Sequence, residues 1–486
     1  MGRMGRAARA ALRGGVAAVA MAALAGQAVA HSLTDTLVLA YDHSRILEQQ
    51  RALLRVEDEN VAIAVSRLKP TLDFFASISQ DYTRFNDSTT GDLSASLGVT
   101  MNWLLLDGGA RAARIGAAKE VVLATRFALL SAEQDVLLNA AIAHLNLRLS
   151  ARVVEVRQSN VRLVTQQLRA AEDRFEVGEV TRTDVALARS RLALARSQLA
   201  AAEGSVALAR EVYELAVGHD HGAGGLSVPP APALPPSEDR AKALALQVNP
   251  SIRSLQHQVT ATRLLAQAAE RDRLPTVSLN GSVTRSGPRA GTPEVRDVFG
   301  TVVSPAVPGG PVDNASIGLR TDMPIYRGGA LSAASRQSQQ RVAAAAAQLA
   351  QQGRIVSETV GRAWANLSIA QAQVGAFDQQ VRAAQLAFEG FREEALLGAR
   401  TTLDVLDAEQ ELLDARVARL EAATNVQIAV YQLLAAVGLL TVDHLGLGVE
   451  SFDPTLYYEA VRTAPPVSPS PLGDNVDRVL RRFGRP

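Results

Sequence analysis

Gly178-Glu-Val-Thr-Arg-Thr-Asp184-Val185 resembles Gly398-Ala-Arg-Thr-Thr-Leu-Asp404-Val405, at an offset of 220 residues. The same offset pairs Ala188 with Ala408, Leu192 with Leu412, Ala195 with Ala415, Ala202 with Ala422 and Gly218 with Gly438. It also pairs Gly108-Gly109 with Gly328-Gly329. Further upstream, Leu68-Lys-Pro70-Thr71 matches Arg273-Leu-Pro275-Thr276 at an offset of 205, so the second copy carries 15 extra residues between Pro275 and about Gly318. That stretch is rich in Gly and Pro, as a loop insertion should be. A repeat of this length means that one structural unit is written twice.

Each copy has the same order. A helical segment runs up to a proline, roughly Ser32 to Lys69 and Ser237 to Leu274. A strand pair follows, a Gly-Gly opens a very long helix, and a shorter helix ends at Gly218 or Gly438. The strands alternate. Over Thr71–Thr83 one parity carries Leu72, Phe74, Ala76, Ile78 and Tyr82, and the other is polar except for Phe75. Over Leu93–Leu105, Leu93, Leu97, Val99, Met101 and Trp103 oppose Ser94, Ser96, Thr100 and Asn102. The second copy repeats the pattern around Leu279 and Val283 and around Ile317 and Leu319. One apolar and one polar face fit a transmembrane barrel with lipid outside and water inside. A soluble antiparallel sheet with one buried face gives the same alternation. Four strands do not close a barrel, and open edges are not tolerated in lipid. The membrane reading therefore demands that other subunits close the edges.

The segment from Ala110 to Val177, and its equal from Ala330 to Leu397, is roughly 100 Å of α-helix, several times the apolar thickness of a bilayer. Val185, Ala188, Leu192, Ala195, Leu199, Ala202, Val206 and Ala209 step by alternating threes and fours, a heptad that imposes a left-handed supercoil against neighbours. The second copy keeps this stripe except at Arg419. Heptads alone fit a solid stalk. Joined to barrel-like strands in an exported chain, they favour a hollow helical barrel.

The bulk numbers agree with packed helices. Of 486 residues 47% are hydrophobic and only 4% aromatic, the net charge is +1, and there is no Cys. Nothing in that balance points to nucleic acid, and thiolate chemistry is excluded. Arg3, Arg6, Arg9 and Arg13, an apolar run from Gly15 to about Gly26, and Ala28-Val29-Ala30 read as a secretory signal over 1–30, with a retained anchor as the alternative. The expected organisation is then a first repeat over 31–218 (strands 71–83 and 93–105, helices 110–177 and 183–217) and a Gly/Pro-rich linker over 219–236. The second repeat follows over 237–438 (strands 276–285 and 315–326, helices 330–397 and 402–437), with a terminal segment and tail over 439–486. Ala464 to Pro486 is Pro-rich and then basic and is expected to be largely disordered.

The ordered set Phe175-x-x-Gly178…Thr183-Asp184-Val185 and Gly398-x-Arg400…Asp404-Val-Leu-Asp407-Ala408 resembles the TolC family of outer-membrane factors. The strand-to-helix junctions Leu104-Leu-Leu-Asp-Gly-Gly109 and Pro324-Ile-Tyr-Arg-Gly-Gly329 share the likeness, which covers about Ser32 to Gly448. The resemblance implies a mixed α and β, TolC-like trimer with four antiparallel strands per subunit. The strands would form a shared 12-stranded outer-membrane β-barrel, continuous with a long periplasmic α-helical barrel. It implies a homotrimer in outer-membrane lipid, a periplasmic adaptor, and an inner-membrane transporter that is either an ABC or a proton-driven pump. Phe452-Asp453-Pro454-x-x-Tyr457-Tyr458-x-x-Val461-Arg462 resembles the ending of members that serve type I secretion, exporters of an adenylate cyclase toxin among them. Multidrug efflux is the alternative, and a non-transporting trimeric stalk a distant one.

Gly178 and Gly398 end the long helices and let the chain reverse; in the family such reversals form the periplasmic tip. Asp404 and Asp407, three apart, share a helical face. In a trimer they would give a ring of six carboxylates that favours cations. The plainer reading is an acidic first turn that suits the helix dipole, which Asp184 and Asp404 satisfy anyway. By resemblance Arg400 pairs with Thr183 and Asp184 as a gate latch. A tyrosine common nine residues before the first ring acid is here Ala395. His219-Asp-His221 lacks a third ligand nearby and reads as loop. No catalytic constellation, cofactor or metal site is expected.

Overall fold

A computed structural model describes residues 31–220, 226–289, 295–304, 310–449 and 452–464. The expected signal over 1–30 and the tail over 465–486 lie outside the described residues. The first copy comprises β1 (His31–Ser32), α1 (Leu33–His43), α2 (Arg45–Ser66), β2 (Thr71–Phe85), β3 (Ser88–Leu106), α3 (Ala110–Glu176) and α4 (Arg182–Val217). After β4 (Leu226–Ser227), the second comprises α5 (Glu238–Val248), α6 (Pro250–Arg271), β5 (Thr276–Arg289), β6 (Val295–Arg296), β7 (Val302–Ser304), β8 (Gly310–Asp322), α7 (Ala330–Leu396) and α8 (Thr402–Val437). Two short helices, α9 (Val442–Leu445) and α10 (Thr455–Val461), follow.

Each helical segment expected as one before a proline is two. Ser44 is extended, and its hydroxyl accepts from the Leu47 N–H at 3.3 Å, so it starts a new helix. Asn249 does the same for Ser251 at 3.0 Å. Pro250 occupies the first helical position, which pushes Asn249 out of the helical region. The two breaks are equivalent at the offset of 205. Neither was legible as a break, because hydrophobic periodicity resumes after one residue.

The four long strands form one antiparallel sheet in the order β2-β3-β5-β8. β2 and β3 pair without a slip from Thr71↔Asn102 to Phe85↔Ser88. Asn86 and Asp87, both at positive φ, make the two-residue turn whose twist suits a hairpin. The hairpin therefore extends beyond the expected 83 and 93. β8 ends at Asp322 rather than 326, since Pro324 has no N–H to give a ladder. Ile78 is 79% and Leu72 70% exposed on the apolar face. On the polar face, serine hydroxyls pair across strands at 2.7–2.8 Å: Ser77 with Ser96, Ser79 with Ser94, and Ser282 with Ser316. β2 and β8 are the edges of this sheet.

α3 and α7 have 67 residues each. α4 packs along α3 and α8 along α7. The heptad stripe is what they bury: Val185, Ala188, Leu192, Ala195 and Ala202 in one copy, Val405, Ala408, Leu412, Ala415 and Ala422 in the other. Where the stripe fails, Arg419 turns aside to bind Asp378 of α7 at 2.7 Å. The largest apolar cluster sits mid-length, where α1, α5, and the later parts of α4 and α8 meet the middles of α3 and α7 around Leu137, Leu145, Tyr213 and Leu434. The terminal segment crosses α2 and α3 through stacked cations: Arg51 over Tyr41 and Phe452, Arg55 over Tyr457, and Arg126 over Tyr458, at 5.1–5.6 Å.

Candidate functional site

The two helix reversals lie at one end of the helices, and the same local chemistry builds both. Gly178 at φ 82° and Gly398 at φ 78° adopt the left-handed conformation in which a Cβ is strained. No described atom crowds either one, so the need for glycine is conformational. Glu179 N–H reaches back to the Arg174 carbonyl at 2.9 Å and Ala399 N–H to that of Glu394 at 2.9 Å, closing each helix C-terminus. Thr181 and Thr401 then cap the next helices. The Asp184 N–H donates to Thr181 Oγ1 at 3.3 Å, while the Asp184 carboxylate accepts from Thr181 N–H at 2.8 Å and from its hydroxyl at 2.7 Å. Thr401 and Asp404 repeat the box at 3.3, 3.0 and 2.8 Å. Those bonds, the backbone one foremost, hold both carboxyls below the usual carboxylate range. Asp404 is thus a capping group and a fixed negative charge at once; the two readings of the sequence do not compete.

The copies diverge one turn further on. Asp407 of α8 binds Arg191 of α4, a tie between the copies. Arg157 of α3 continues it, donating to Gln198 at 2.8 Å and lying 3.7 Å from Asp414. Arg400 donates through Nε to Glu394 at 2.9 Å and lies over the Phe391 ring at 4.5 Å. Asp184 is engaged by Thr181 and Thr183 is exposed. Within one chain, then, the described residues do not bring Arg400 to Thr183 and Asp184. Ala395 packs beside Phe388, Val405 and Leu412. His219 meets His43 edge-on, ring centroids 4.7 Å apart; His221 lies outside the described residues.

Glu409 escaped the sequence reading. It is 4% exposed, on the face of α8 that carries Val405, Leu406, Ala408 and Leu412 into the apolar joints with α3, α4 and α7. Among the described residues, both its carboxyl oxygens are buried and meet no donor at full hydrogen-bond geometry, Gln167 being the one side chain close enough to interact with them. Burial pushes the carboxyl up to about 7. Burial favours the neutral carboxyl, and Gln167, whose side chain favours the charged form, offsets only part of that rise. The one available signal was the offset of 220, which aligns it with Arg189, an exposed partner of Glu172 at 2.7 Å.

The outer membrane efflux protein family matches over residues 36–219 and 243–439. The chain is 35% identical over 447 residues to outer membrane efflux protein BepC of Brucella suis, covering 90% of this chain and 92% of that one. Outer membrane protein TolC of Escherichia coli is 26% identical, over 84% of this chain and 83% of its own. Alkaline protease secretion protein AprF of Pseudomonas aeruginosa is 26% identical, over 62% and 60%. In fold, the chain matches the crystal structure of the channel CusC with a TM-score of 0.71 at 19% identity, over 84% and 92%. The repeated strand–strand–helix unit, its two capped reversals and these matches together place the chain in the outer membrane efflux protein family, whose members sit in the outer membrane and extend into the periplasm.

Proposed function

We propose that this chain is the outer-membrane channel-tunnel of a three-part export system and serves type I secretion of a protein toxin or enzyme. The observation that carries the reading is the four-stranded sheet with an apolar outer face and two unpaired edges, set on helices of 67 residues. Three copies would join β8 of one to β2 of the next. They would close 12 strands in lipid and leave no edge unpaired. The helices would enclose a periplasmic tunnel. A periplasmic adaptor and an inner-membrane transporter, ABC or proton-driven, would supply energy that no site described here provides. The likeness to a protease secretion protein and the Phe452–Arg462 ending support protein cargo. At the tip, Asp404 and Asp407 would form the selectivity ring, and Arg400 would reach Thr183 and Asp184 of a neighbouring subunit as the latch.

Purified protein in planar bilayers should conduct as a trimer and prefer cations, and Asp404→Asn with Asp407→Asn should reduce that preference severalfold. Absent conductance overturns the channel; unchanged selectivity overturns the ring. Deletion of the chain in its own cell should remove a secreted protein from the medium. Loss of drug resistance with secretion intact would assign it to multidrug efflux instead.

A further inference from the structure

In the second copy the buried stripe of α8 runs through Val405, Ala408, Leu412 and Ala415 and resumes at Ala422, with Arg419 in between. The first copy has Leu199 at that place. A leucine there packs along the partner helix, whereas Arg419 leaves the stripe for Asp378. Beside it, where α8 meets α3, lies a cavity of about 240 Å³. It sits just on the tip side of the mid-length apolar cluster, which ends on α3 at Leu147. Its polar lining is Arg148 and Arg152 of α3 with Arg419, Thr424 and Gln427 of α8; the other lining residues are apolar, and none is a carboxylate.

The fold does not demand this charge. The offset of 220 aligns Arg148 with Ser368, Arg152 with Ala372 and Arg419 with Leu199. The same wall is therefore built in the sister positions with no charge at any of the three. Asp378 holds Arg419 at 2.7 Å, and Glu155 holds Arg152 at 2.9 Å. Arg148 forms no ion pair among the described residues, and its Nε is buried without a hydrogen-bond partner. A buried N–H of a charged group without an acceptor is costly. A guanidinium has five donors, so the two paired arginines keep some to spare. Its planar fork matches the oxygens of a phosphate or carboxylate. The cavity holds several times the roughly 30 Å³ share of one water and falls short of the roughly 300 Å³ at which drug-sized sites begin. Its size and its charge both suit a small oxyanion.

We propose that this cavity binds a small oxyanion such as inorganic phosphate, gripped by Arg148 and Arg152 of the first copy and Arg419 of the second. A bound anion ties α3 to α8 and so braces the two copies against each other at this level of the wall. The site lies within one chain and rests on neither the cargo nor the gate. Equilibrium dialysis of the purified full-length protein against radiolabelled phosphate should show saturable binding at one site per chain. Arg148→Gln should weaken it by about tenfold or more, the loss expected for a hydrogen bond between charged groups. Arg419→Leu should do the same, and it installs the residue that the first copy already carries, so the fold accommodates it. Arg196→Gln, an exposed arginine of α4 away from the cavity, should leave binding unchanged. Phosphate should also raise the thermal unfolding temperature of the parent above that in potassium chloride of equal ionic strength, and should do so less in Arg148→Gln and Arg419→Leu. Absence of saturable binding overturns the proposal. So does binding that survives both cavity variants, or that falls equally with Arg196→Gln, which would mean diffuse attraction to surface charge.

Discussion

Glu409 is the residue at which protonation matters most for the joint between the copies. Its carboxyl is raised from 4.5 to about 7 by burial, so the folded chain holds the proton more tightly than the unfolded one. Stability from this site is full at low pH, falls as pH rises from 4.5 towards 7, and stays reduced above that. Glu409→Gln removes the penalty and can donate to Gln167. It should stabilise the chain by on the order of 2–3 kcal/mol at pH 8 and by little at pH 4.5, read as thermal unfolding at the two pH values. A gain of equal size at both would show that the carboxyl is not buried as described. Arg191 carries a second prediction. It neutralises part of Asp407, so Arg191→Gln should increase cation selectivity, opposite in direction to Asp404→Asn, when reversal potentials are measured in asymmetric salt. Asp404 was legible in the sequence, because a cap writes its partners within three residues. The tie of Asp407 to Arg191 and the burial of Glu409 were not, because each depends on a helix from the other copy, more than 200 residues away.

At the scale of the element, the reversals depend on two glycines with nothing around them. Gly398→Ala keeps every contact and forces a side chain into positive φ, costing about 1 kcal/mol. The cost should appear as faster amide exchange in the last turn of α7 and the first of α8, with the mid-length core unaffected. Exchange unchanged at the tip would mean that the reversal tolerates another conformation. The long helices and the heptad of α4 were plain from periodicity, since a stripe repeated over eight positions outweighs local noise. The helix breaks at Ser44 and Asn249 were hidden, and the end of β8 was placed four residues late: a single cap or a single missing N–H decides each boundary, and alternation runs through both.

For the whole molecule, the sheet assigns its two faces opposite environments. Ile78 is on the apolar side and Ser79 on the serine ladder. Ile78→Arg should cost about 2–4 kcal/mol if that side meets the bilayer midplane and should deplete the protein from outer-membrane fractions. Ser79→Arg should leave the amount in the membrane nearly unchanged. Equal depletion would argue for a sheet buried on both sides. The repeat made the duplicated architecture readable, but it could not show how the segment over 452–464 is secured, which depends on cation stacking between Arg51, Arg55, Arg126 and the distant Phe452, Tyr457 and Tyr458. Finally, the two outer turns of a subunit are unequal: Asn86-Asp87 turns in two residues, whereas 20 residues separate β5 from β8. On a closed ring of three such chains, the rim facing the environment would alternate two-residue corners with 20-residue connections that carry the β6–β7 pair. Drift, immune pressure and engineered epitopes would then find room at only one address per subunit, near Gly300, displayed threefold around the mouth.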